Sequence, residues 1–109
     1  MSHPAGHRAR AKRTACAVLL AAASLVGCTG GPPAVTALDA SRANMQVAEL
    51  QQGRSLLLSK CGGCHRTPMP ADHRANEWPV KLDEMAGRAH LDHAQRHLLE
   101  AYLVTVATR

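Results

Sequence analysis

The chain has 109 residues, 46% of them hydrophobic but only 2% aromatic, with 13 basic and eight acidic side chains, four cysteines and seven histidines. Once any targeting segment is set aside, that length bounds it to one domain. The formal charge of +5 points to nucleic acid only until the charges are located: Arg8, Arg10, Lys12 and Arg13 sit together near the start, and nine basic residues then face eight acids. No basic stripe survives, only Trp78 and Tyr102 are left to stack on bases, and nucleic acid is excluded as a partner.

The basic cluster is followed by the apolar run Thr14 to Gly27, a pairing of n-region and h-region that predicts a secretory signal peptide over 1–27. At 14 residues the run falls short of the ~20 that a membrane-spanning helix needs. Leu25-Val26-Gly27-Cys28 resembles the bacterial lipoprotein box, which implies cleavage before Cys28 and a lipid on that cysteine. The competing reading is an ordinary signal peptide that leaves Cys28 a free thiol. Residues 28–41, with Thr29-Gly30-Gly31-Pro32-Pro33-Ala34 at their head, read as a flexible Gly/Pro linker before a folded domain over 42–109.

Within that domain three helices are predicted and no strand, so the fold class is all-α, a compact three-helix unit. Val47, Leu50, Leu57 and Leu58 recur at helical intervals over 43–60, interrupted only by Gly53. A glycine costs about 1 kcal/mol relative to alanine inside a helix, which points to a packing reason for it. Residues 66–75 read as loop because Pro68 and Pro70 break any helix. Over 77–89, Trp78, Leu82, Met85, Ala86 and Ala89 make one apolar stripe, with Asn76 as N-cap and Pro79 tolerated in the first turn. Over 93–107, Asp92 at the N-cap and Gln95 three residues on form a near capping box ahead of Leu98, Leu99, Tyr102, Leu103 and Val106.

Between the first helix and the loop stands Cys61-Gly62-Gly63-Cys64-His65. Two cysteines separated by two residues and followed at once by histidine is the spacing of covalent haem attachment: the thiols add to the two vinyl groups on one porphyrin edge, and the next side chain reaches the iron. A thioredoxin-like pair wants a βαβ context that the helical flanks do not supply. A zinc site needs a second ligand pair, and a disulfide across two residues is strained. With Cys16 in the signal segment, Cys28 lipidated and Cys61 and Cys64 on haem, no cysteine is left over for a disulfide. A domain of this size with no Phe is short of core, so a bound apolar disc would supply its interior, and the haem-free form is expected to be largely unfolded.

A glycine in the N-terminal helix, the CxxCH pentad at its end and a last helix ending Leu99-Glu100-Ala101-Tyr102-Leu103 resemble a class I-type cytochrome c domain of short form. The resemblance implies a crossing of the first and last helices at Gly53 and Tyr102, one covalent haem c, and His65 as proximal iron ligand. Met85 is the expected distal ligand, from the apolar face it shares with Trp78 and Leu82, and Met69 is the second choice. His73, His90, His93 and His97 are further candidates, and an open sixth position is the remaining one. The function implied is not enzymatic. It is single-electron transfer at the bacterial cell envelope, with the domain lipid-anchored, facing the periplasm or exterior, and docking transiently on redox partner proteins. The alternatives are a haem-based gas or redox sensor and a cytochrome subunit of a periplasmic dehydrogenase or oxidase.

Overall fold

The computed structural model describes residues 2, 30–63 and 66–109. The expected signal peptide, Cys28, Cys64 and His65 lie outside the described residues. Four α-helices follow in order: α1 (Ala37–Ala43), α2 (Val47–Cys61), α3 (Trp78–Ala86) and α4 (His93–Ala107), with 3₁₀ turns at Pro70–Asp72 and Ala75–Glu77 before α3. No strand occurs among the described residues, so the fold is all-α as expected.

The expected linker over 28–41 is corrected at its far end, because α1 begins inside it. Thr36 caps that helix: its hydroxyl accepts from the Asp39 backbone N–H at 3.2 Å, while the Thr36 N–H donates back to the Asp39 carboxylate at 2.7 Å. The expected count of three helices becomes four for the same reason. Asn44, with φ of 51°, turns the chain left-handed at the end of α1, and the Met45 N–H closes on the Ala40 carbonyl at 3.0 Å. That Schellman-type end separates α1 from α2, which therefore starts at Val47 rather than 43.

α3 runs to Ala86, and a turn continues it: the Ala89 N–H donates to the Met85 carbonyl at 2.9 Å, and left-handed His90, at φ of 52°, closes that turn with the Leu91 N–H on the Ala86 carbonyl at 3.1 Å, just after the expected end at 89. Asn76 is not the N-cap of α3; it lies inside the second 3₁₀ turn, and Glu77 takes the cap position. α4 has its expected bounds, with Asp92 accepting from the Gln95 N–H at 2.8 Å.

α2 packs on α4, and the crossing is set by Gly53. A Cβ at that position would stand 2.9 Å from the Leu98 carbonyl carbon and 2.9 Å from Tyr102 Cβ, and nearer still to the Leu98 oxygen. Only glycine lets the two backbones come so close, which is the packing reason the interrupted helix called for. Leu50 and Leu57 of α2, Leu99, Tyr102 and Leu103 of α4, and Trp78 and Leu82 of α3 are fully buried around this contact. Arg96 ties α3 to α4, donating to Asp83 at 2.7 Å, to Glu100 at 2.5 Å and to the Pro79 carbonyl at 3.2 Å.

Candidate functional site: a groove that brackets the CxxCH pentad

The pentad begins on the last residue of α2, so its first cysteine sits at a helix C-terminus. Cys61 is half-buried, and burial pushes its thiol above the ordinary range. Thiols activated for redox exchange sit at helix N-termini, where the backbone dipole stabilises a thiolate. Cys61 occupies the opposite end, where the dipole works against the anion.

Thr67 packs back against the end of α2. Gly62 permits this, since a Cβ there would lie 2.8 Å from the Thr67 hydroxyl oxygen and 3.0 Å from the Leu58 carbonyl oxygen. The fold-back opens a groove of about 460 Å³ that brackets the pentad: Leu58 lines it from before, and Arg66, Thr67 and Met69 from after. Its remaining wall is Gly30, Gly31 and Pro32. Leu58 is 43% exposed there, although the same helix buries Leu57 completely.

The loop after the pentad is held from both sides. Met69 donates its backbone N–H to Asp72 Oδ2 at 2.8 Å, and the same oxygen receives Arg66 at 3.1 Å. The Met69 N–H, together with Arg66, holds the Asp72 carboxyl below the usual range. Fully buried Trp78 donates its indole N–H to the Pro70 carbonyl at 3.0 Å, with the His73 ring edge-on at 4.9 Å. The two 3₁₀ turns and Trp78 convert a stretch read as plain loop into a fixed wall.

The two methionines are placed differently. Met69 is half-buried and lines the groove. Met85 is half-buried on α3, one turn beyond Leu82 on the face that packs against the core. His90, His93 and His97 are exposed, and no group of three or more metal-binding side chains is found among the described residues.

Sequence reading missed the third wall. Arg54, on α2, donates Nε to the carbonyls of Pro32 and Pro33 at 3.0 and 3.1 Å, and the Tyr102 hydroxyl donates to the Pro33 carbonyl at 2.7 Å. Asp39, 1% exposed, receives Arg109 as well as Thr36, and the Arg109 guanidinium holds its carboxyl far below the usual range. The one readable signal was Thr36 with Asp39 three residues on, the pattern of a helix start.

A groove of this kind suits a flat apolar group attached through the pentad. Its walls are largely apolar, a thioether borders it, and the exposed Leu58 would be covered. Among the described residues no helix is long and apolar enough to cross a membrane. Set beside family models, curated proteins and solved structures, the chain matches none of them.

Proposed function

We propose that this chain is a monohaem c-type cytochrome that carries single electrons between redox partners at the bacterial cell envelope, held to a membrane by lipid on Cys28. What supports the reading is the CxxCH pentad beginning at the C-terminus of α2, with an apolar groove bracketing it. Cys61 and Cys64 hold the haem through thioethers, and His65 is the proximal ligand. Haem supplies a one-electron couple whose potential thioether ligation raises.

Met85 remains the proposed distal ligand, because α3 carries it on the face where Trp78 and Leu82 are already buried. Met69 is the alternative, favoured by its place on the groove wall. Neither role calls for substrate chemistry, and none is assigned.

The test is the absorption spectrum of the exported, oxidised protein, compared with Met85→Ala and Met69→Ala. The expected result is haem colour that stays with the chain after denaturation, and a sulfur-to-iron charge-transfer band lost in Met85→Ala but kept in Met69→Ala. The reverse pattern moves the ligand to Met69. A colourless product from a host with working haem-ligation machinery overturns the reading, and carbon monoxide binding at neutral pH by the wild type would replace electron transfer with sensing.

A further inference from the structure

α4 opens on two side chains that the proposed electron carrier does not use. His93 and His97 stand one helical turn apart at its start, both exposed, and neither ring is engaged in a hydrogen bond or ion pair among the described residues. Neither borders the groove that brackets the pentad, whose lining includes no residue of α4. Among the described residues no other two histidines are four apart.

We propose that His93 and His97 together chelate a divalent copper ion at the surface, a site that stands whether or not the pentad holds haem. Side chains four apart on a helix share a face, with their Cβ atoms about 5–6 Å apart. Two nitrogens at neighbouring corners of a metal lie about 3 Å apart when each bond is about 2 Å long. Two exposed imidazoles rooted at that spacing reach those corners by rotating about their own bonds. Imidazole suits the late transition metals, and among the divalent ions Cu(II) stands highest in affinity for such donors.

A frayed helix end would scatter the pair, and this end is held. The Asp92 N–H donates to Gln95 Oε1 at 3.1 Å, and the Gln95 N–H returns to Asp92 Oδ1 at 2.8 Å. Arg96, inside the same turn, is bonded to Asp83 and to the Pro79 carbonyl on α3. The turn that carries both rings is therefore fixed before an ion arrives, and little ordering cost is left to binding. Asp92 at the N-cap also sets a negative charge against the positive end of the helix dipole beside His93. Glu100, three residues beyond His97, is committed to Arg96 at 2.5 Å. The chelate thus has two protein ligands and leaves its other positions to water or to a small ligand from solution.

Calorimetric titration of the exported, oxidised protein with Cu(II), any free thiol having been alkylated beforehand, tests the site. His93→Asn and His97→Asn are each expected to weaken copper binding by about tenfold or more, because either ring alone loses the high effective concentration of the other. His90→Asn is expected to bind as the wild type does. All three changes fall on exposed side chains, where substitution leaves the fold standing. Copper affinity equal to wild type in either His93→Asn or His97→Asn overturns the chelate. A haem-free product that still loses copper affinity in those two variants upholds the chelate while the cytochrome reading falls.

Discussion

The middle and the end of α2 differ sharply, though one helix carries both. At Gly53 the helix is pressed against α4, with Leu50 and Leu57 fully buried on either side. One turn later Leu58 is 43% exposed and Cys61 is only half-buried, beside a groove of about 460 Å³. Side chains alone close the first region. The second is left open, with Leu58 and Met69 on the walls of a groove.

The harshest way to break this contrast is to withhold the proposed haem. Replacing Cys61 and Cys64 together by serine is expected to abolish covalent haem, and the far-ultraviolet circular dichroism of the product should fall towards that of a largely unfolded chain. If native helix content persists, the Gly53 crossing is a sufficient core by itself and the open end is not where stability is decided.

The closed region can be attacked directly. Gly53→Ala gains up to about 1 kcal/mol of helix propensity but forces a methyl into the Leu98 backbone, and overpacking of that kind costs about 1–3 kcal/mol or more. Because peptide carbonyls cannot rotate aside as a side chain can, we expect a net loss of about 2 kcal/mol, seen as a fall in Tm of order 10 °C. An unchanged Tm would show that the helices can separate without penalty.

The ties that hold the N-terminal segment to the core come next. Arg109 depresses the pKa of Asp39 in the folded state, so the carboxylate contributes its full stabilisation above the unfolded value of about 4. That contribution drains away as the pH falls below about 4 towards the folded pKa. Asp39→Asn should therefore cost about 2 kcal/mol at pH 7, with the gap to wild type narrowing in acid, as denaturant melts across pH would show. A gap independent of pH would mean that Asp39 acts through packing and not through its charge.

Smallest is Tyr102→Phe, which removes the hydroxyl donor to the Pro33 carbonyl while Arg54 still serves the same oxygen. About 1 kcal/mol or less is expected, with faster amide exchange at Ala34 and Val35 as the local sign that the segment has loosened. Slower exchange there would place the segment's anchor elsewhere.

Much of this was readable from short-range patterns. The bounds of α4 followed from Asp92, Gln95 and a 3.6-residue stripe, and the need for close packing at Gly53 followed from a glycine standing where an alanine would be cheaper. The candidate site was legible only as a spacing, since Cys61 and its partners declare a chemistry without declaring what surrounds it. The boundary at 44 was not legible, because Asn44 enters the left-handed region without the glycine that usually announces it.

The order of residues by itself therefore determined the helical class, the need for close packing at Gly53 and the CxxCH spacing, because each is a property of neighbours within about two turns of chain. Only the tertiary structure decided that the Gly-Pro stretch is a wall and not a spacer. That outcome depends on Arg54, Tyr102 and Arg109, which lie 21 to 75 residues away from the carbonyls they hold. Hydrogen bonds across such separations exist only once α2 and α4 have met, so no periodicity in the segment could have foretold them.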